Sequence, residues 1–118
     1  MDAEHIRELF GEFGDVQIKR LFGGAGLYAG GVMFGLVADG VIYLKADADT
    51  SSAFVREHCA QFQYQTKSGK RTLTSYWRLP DRLYDEPSEL AQWAQSALSV
   101  AQAGKSKKRN KRPAKTGR

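Results

Sequence analysis

The sequence predicts an α+β domain: an antiparallel β-sheet, made of a β-meander plus a hairpin, with N-terminal, middle and C-terminal helices packed mainly on one face. Three observations lead there. Residues 22–45, FGGAGLYAGGVMFGLVADGVIYLK, hold seven of the twelve glycines between short aromatic and β-branched runs, which means tight turns and close backbone approach. The connections inside this stretch are too short to join anything but antiparallel neighbours. Helical apolar stripes elsewhere give the order helix, strands, helix, strands, helix.

The first helix is read over residues 2–13, where Ile6, Leu9, Phe10 and Phe13 fall at i, i+3, i+4 and i+7. Asp2 suits its N-cap and Gly14 its C′ position. Val16–Leu21 alternates as a half-buried strand running into Phe22, and Gly23-Gly24 turns the chain. Ala25–Ala29 and Val32–Ala38 follow as strands on either side of Gly30-Gly31. Asp39-Gly40 is the strongest hairpin signal, because a type I′ turn needs positive φ at both central positions. Val41–Ala46 completes the meander, with Val41, Tyr43 and Lys45 on one face and Ile42 and Leu44 on the other.

A second helix should begin near Asp49 or Thr50 and carry Phe54, Val55, His58 and Cys59. Phe62–Lys67 and Arg71–Leu79 form a hairpin about Ser68-Gly69, with Leu73, Trp77 and Leu79 on one face. Pro80 ends it, and residues 81–85 read as irregular. The last helix runs from about Glu86 to Ala103 through Leu90, Trp93, Ala94, Ala97, Leu98 and Ala101. Gly104 is its stop.

The formal charge of +5 is the sum of two unlike parts. Residues 104–118 carry Lys105, Lys107, Lys108, Arg109, Lys111, Arg112, Lys115 and Arg118 with no acid, a charge of +8. Residues 1–103 hold ten cations and all thirteen acids, a charge of −3. The expected organisation is therefore a folded body over 1–103 and a disordered basic tail over 104–118. Such a tail reads equally as a solubilising terminus and as a weak contact for DNA or RNA without sequence readout, the latter with a salt slope of at most roughly −7. No apolar run is long enough to span a membrane, and MDAEHIREL is not a secretory signal. A single cysteine allows no internal disulfide and fits a reducing, cytoplasmic setting.

Each candidate for chemistry has a simpler explanation. Gly24-Ala25-Gly26-Leu27-Tyr28-Ala29 matches GxGxxA, with Asp47 about twenty residues on, but a dinucleotide site needs a helix after the glycines. The next residues, LYAGGVMFGLV, cannot supply one. His58 and Cys59 are neighbours on a predicted helix, so their side chains diverge by about 100°. Two distant histidines and one cysteine have no metal-ligand spacing. The carboxylates sit at helix starts, exposed helix faces and turns. Tyr28, Phe34, Tyr43, Phe62, Tyr64, Tyr76 and Trp77 invite comparison with a base-stacking platform. Strand alternation assigns most of them to the core or to cross-strand pairs instead. No catalytic, cofactor or metal residue is assigned.

The central stretch also carries a family resemblance. Phe22-Gly23-Gly24-Ala25-Gly26-Leu27-Tyr28, then Gly31-Val32-Met33-Phe34-Gly35-Leu36-Val37 and Tyr43-Leu44-Lys45, is similar to the N-terminal domain of the TfoX/Sxy family. Tyr76-Trp77-Arg78-Leu79-Pro80 and Leu90, Trp93 and Ala97 agree with it. The signature residues are Phe22, Gly23, Gly24, Gly26, Tyr28, Gly31, Phe34, Tyr43, Lys45, Tyr76, Pro80 and Trp93. The family is associated with natural competence in bacteria, and its best-known members work with the cyclic-AMP receptor protein rather than as enzymes. Those members carry a second, helical domain, whereas this chain has only the basic tail after Ala103. The resemblance implies a non-enzymatic regulatory or protein-interaction module that meets a transcription regulator or a second copy of itself. Two other readings stand beside it: nucleic-acid contact through the tail, and a small-molecule binder or enzyme at the Gly23–Tyr28 turn.

Overall fold

A computed structural model describes the backbone of residues 2–21 and 23–117 and the side chains of residues 2–21 and 23–104. The chain runs α1 (Ala3–Leu9), β1 (Gln17–Leu21), β2 (Gly24–Ala29), β3 (Val32–Ala38), β4 (Val41–Lys45), α2 (Ser51–Arg56), β5 (Gln61–Thr66), β6 (Gly69–Arg78), a 3-10 turn (Asp81–Asp85) and α3 (Pro87–Gly117). The six strands form one antiparallel sheet in the order β1-β2-β3-β4-β6-β5. This is the α+β architecture the sequence predicts, a meander extended by a hairpin.

Turn chemistry sets the meander. Ala29 pairs with Val32 across Gly30-Gly31, at φ 58° and 81°, and Ala38 pairs with Val41 across Asp39-Gly40, at φ 52° and 74°. Both are two-residue turns with positive φ at each central residue, which matches the right-handed twist of the flanking strands. The first turn differs from expectation. Leu21 pairs with Gly24, so Gly24 already belongs to β2. Its missing side chain serves packing instead, since a Cβ there would overlap the Val37 carbonyl oxygen of β3.

Two register shifts depart from simple alternation. Between Leu27 and Tyr28 the pairing with β3 slips by one residue, leaving Phe34 without a direct partner. The bulge lets Phe34 and Val37, three positions apart, both enter the core. In the hairpin, Gln61 faces Trp77 but Phe62 faces Leu73. The expectation that Leu73 shares a face with Trp77 and Leu79 is therefore overturned. Trp77 and Leu79 pack in the core, while Leu73 stands 36% exposed beside Phe62.

The helices also end where local bonding dictates. Asp2 caps α1 by accepting from the His5 amide at 2.9 Å. Regular helix stops at Leu9, and the amides of Phe13 and Gly14 both donate to the Phe10 carbonyl at 3.0 Å. Neither Asp49 nor Thr50 supplies the side-chain cap expected for α2. Asp47 does so, accepting from the Thr50 amide at 2.9 Å, while the Thr50 hydroxyl accepts from the Asp47 amide at 3.0 Å. This reciprocal pair is a capping box, and it holds the Asp47 carboxyl below its usual pKa. At the other end α2 stops at Arg56, short of His58 and Cys59. His58 takes φ 60°, and Cys59 N–H donates to the Phe54 carbonyl at 2.9 Å, the bonding of a Schellman turn. The bounds of α3 pass Gly104, where a stop is expected, because a helical glycine costs only about 1 kcal/mol relative to alanine. The side chains on which the expected basic tail rests lie outside the described ones.

All three helices lie on one face of the sheet. Ile6, Phe10, Phe54, Leu90, Ala94 and Ala97 join Leu27, Phe34, Val37, Ile42 and Leu44 in one buried cluster. The 3-10 turn adds Leu83, fully buried, and Tyr84, whose hydroxyl accepts the Ile42 amide of β4 at 3.0 Å. That amide faces away from β3 and has no ladder partner there. Tyr84→Phe is expected to destabilise the fold by about 1–3 kcal/mol by leaving it unpaired. The check is a lower denaturant midpoint with an unchanged m-value.

Candidate functional site

Because the helices cover one face, the opposite face of the sheet is the surface left for recognition. Pleating sends Ile42 and Leu44 into the core and Val41, Tyr43 and Lys45 outward, as the sequence predicts. The β5–β6 hairpin continues beyond its short pairing with β4 and, with β1–β3, borders an open groove of about 610 Å³. Its walls include Leu21, Met33, Leu36, Phe62 and Leu73, together with Gly23, Gly24 and Ala25. Leu21 at 43% exposure and Tyr64 at 41% are large apolar surfaces left in water. Of the Gly23–Tyr28 stretch, expected as a turn, only Gly23, Gly24 and Ala25 border this cleft, with polar lining from Asp39, Gln63 and Gln65.

Aromatic rings cross this face in a connected row. Tyr43 and Phe62 meet edge-on at 4.8 Å between centroids, and Phe62 stacks along Tyr64 at 5.8 Å with 17° between planes. Lys19 sits 4.7 Å from the Tyr28 ring centre and Lys45 5.2 Å from that of Tyr76. Burial, followed by the neighbouring Tyr28, pushes the Tyr76 phenol above its usual pKa, so it stays neutral. Of the seven rings considered from sequence, Phe34 and Trp77 belong to the core cluster. The other five lie toward the opposite face, where Tyr43 meets Phe62 across the sheet, Tyr64 pairs with Arg71 and the buried Tyr76 pairs with Lys45, the cross-strand contacts that alternation predicts.

The signature residues divide by role. Gly23 and Gly31 take positive φ in turns, Gly24 and Gly26 lie in β2, and Phe34 is buried. Tyr28, Tyr43, Lys45 and Tyr76 come together on the open face. Pro80 leads into the 3-10 turn, and Trp93 of α3 packs against Phe54 at 4.9 Å. Phe22 lies outside the described residues, as do the side chains of Lys105, Lys107, Lys108, Arg109, Lys111, Arg112, Lys115 and Arg118.

The polar clusters serve structure. The GxGxxA glycines lie within strand β2 and lead into no helix, and Asp47 is occupied as a helix cap. The Cys59 thiol lies 3.7 Å from the Glu57 carbonyl oxygen, and burial and then the Glu57 charge push its pKa up, away from thiolate chemistry. Among the described residues no three His, Cys, Asp or Glu side chains gather as a metal-ligand set. No described helix is long and apolar enough to cross a membrane.

Arg82 ties the helical layer together by reaching Glu57 at 2.7 Å and Glu89 at 2.8 Å. Hydrogen bonds from the guanidinium hold both carboxyls below their ordinary value of 4.5. A depressed carboxyl contributes stability above its unfolded pKa and loses it as pH falls through the folded value. The melting difference between wild type and Arg82→Gln is therefore expected to be full near neutrality and to shrink below about pH 4.5. Thermal melts of both proteins across that range check it.

A sheet with one open face, backed by a helical layer, defines a two-layer α+β domain. The TfoX N-terminal domain family matches residues 8–101, and the chain belongs to that family. The DNA transformation protein TfoX1 of Aliivibrio fischeri is 25% identical over 115 residues, covering 94% of this chain and 54% of the relative. Protein Sxy of Escherichia coli is 25% identical over 100 residues, covering 85% of this chain and 47% of the relative. The chain thus spans about half the length of the curated relatives it matches.

Proposed function

We propose that this protein is a non-catalytic, cytoplasmic regulatory module that assists transcriptional control of the competence type by contacting another protein. The supporting observation is that β5 ends the sheet with no strand beyond it among the described residues. Its sequence, QFQYQT, has no charge and no proline, on a hairpin that reaches past its pairing with β4. Lysines and prolines are the usual guards of an exposed edge, whereas β1, at the opposite edge, carries Lys19 and Arg20. An unguarded edge suits strand addition by a partner.

The test compares transcript levels in cells expressing the wild-type chain or the double variant Gln63→Lys/Gln65→Lys at matched abundance. A regulatory effect that the edge variant loses, with its melting temperature kept, supports the reading. No transcript response to the chain, or an edge variant as active as wild type, ends it.

A second reading rests on the eight cations of residues 104–118, which would give weak, non-specific contact with DNA or RNA. Changing those eight to glutamine in the full chain and finding duplex affinity unchanged at low salt would remove it.

A further inference from the structure

The six strands contain six lysines and arginines, Lys19, Arg20, Lys45, Lys70, Arg71 and Arg78, and no Asp or Glu. All thirteen acids of residues 1–103 fall in helices, turns and loops, where only four cations accompany them. The mild net charge of the body therefore hides a strong separation, with a sheet of +6 against a remainder of −9. A separation of that size orients and attracts an anionic ligand toward the sheet.

Four of the strand cations stand on the open face. Lys19 and Lys45 lie over Tyr28 and Tyr76, Arg71 is directly opposite Tyr64, and Arg78 alternates outward from core-facing Trp77. Three acids among the described residues neighbour this set: Asp39 lines the groove, Asp81 lies 3.7 Å from Arg78, and Asp49 borders a separate cavity together with Lys45. Between the cations runs the row Tyr43–Phe62–Tyr64, with Tyr64 substantially exposed.

We infer that this face binds single-stranded nucleic acid, its phosphates held by Lys19, Lys45, Arg71 and Arg78 and its bases laid against the tyrosine and phenylalanine rings. The surface and such a strand are complementary in two ways at once. The cations are spread to both sides of the ring row, which suits a ligand whose negative charge repeats along a chain. The rings between them suit flat apolar groups, which an unpaired strand exposes and a duplex hides. The rings of Phe62 and Tyr64 stand on the face of β5, whereas strand addition would use its backbone edge; the single-strand preference is what a run of point charges lacks.

The experiment is a fluorescence anisotropy titration of the full-length chain with labelled dT20, rU20 and a 20-base-pair duplex at two salt concentrations. Both single strands, or one of them, are expected to bind more tightly than the duplex at equal salt. Tyr64→Ala should weaken single-strand binding by at least about fivefold, the loss of one stacked base, and Tyr64→Trp should restore it. Lys19→Gln/Arg71→Gln should reduce the slope of log affinity against log salt by about 1.4 for a single strand. Circular dichroism melts confirm that these exposed variants stay folded. Equal affinity for duplex and single strands, unmoved by Tyr64→Ala, would mean binding by the tail alone and would overturn the inference. So would binding of poly-glutamate, but not dT20 or rU20, that the same variants abolish, which would mark the face as a site for acidic protein.

Discussion

Gly24→Ala is expected to lower stability by about 3 kcal/mol or more, the upper range for overpacking. The melting temperature should fall by roughly 12–24 °C. The cause is space rather than dihedral freedom. Gly24 lies in regular strand opposite Ala38, and its absent Cβ would overlap the Val37 carbonyl oxygen, a backbone atom that no rotamer change can move. Gly30→Ala is the control. Gly30 has φ 58° but no atom within 4 Å of an added Cβ, so only the left-handed backbone penalty of about 1–2 kcal/mol applies. Chemical denaturation of the two variants separates crowding from strain. A Gly24→Ala protein as stable as Gly30→Ala would show that β2 and β3 do not approach as closely as described.

The second large effect belongs to Phe34. Its side chain is fully buried at the β3 bulge, with ring centroids 5.7 Å from Phe10 and 5.1 Å from Phe13. Phe34→Ala is expected to cost about 3–5 kcal/mol, from lost burial and the cavity left between the sheet and the residues just after α1. For a single domain with typical net stability of about 5–15 kcal/mol, that places the variant near its unfolding threshold. Phe34→Leu keeps most of the apolar contact and should lose less. Equal losses for the two would mean that generic apolar volume contributes little and that the ring itself, with its contacts to Phe10 and Phe13, is what the site requires.

These two residues also show what could be read in advance and what could not. The meander was legible because its signals are local: Gly30-Gly31 and Asp39-Gly40 each specify positive φ within two residues. Helix faces were legible for the same reason, since Ile6 and Phe10, or Leu90, Ala94 and Ala97, mark a stripe by spacing alone. The bulge at Phe34 and the shift that turns Leu73 outward depend on which strand lies alongside, and period-2 reasoning carries no information on that. The helix cap at Asp47 was missed for a related reason: its partner is the Thr50 amide, and a ranking of good N-cap residues does not choose among Asp47, Asp49 and Thr50.

The candidate surface was partly visible. Its rings were identified from sequence as core or cross-strand partners, but which of the two each one is depends on the face that the helices cover, and that is settled only by packing. The signal that could have exposed it is compositional. Every predicted strand lacks acid, and net charge taken over the whole body averages that away.

The turns that shape the meander have a consequence for the order of assembly. Each hairpin from β1 to β4 closes over a few residues, so it forfeits little chain entropy and can form early. Joining β4 to β6 pairs Tyr43 with Arg78 across a loop that contains α2 and the whole second hairpin. That closure is the slow, non-local step, and helices α2 and α3 gain their packing surface only once it is made. Destabilising Gly40 should therefore slow refolding, while Leu90→Ala, in helix α3 that packs after the closure, should chiefly speed unfolding. The glycine-rich segment is, on this account, the seed on which the remaining chain condenses.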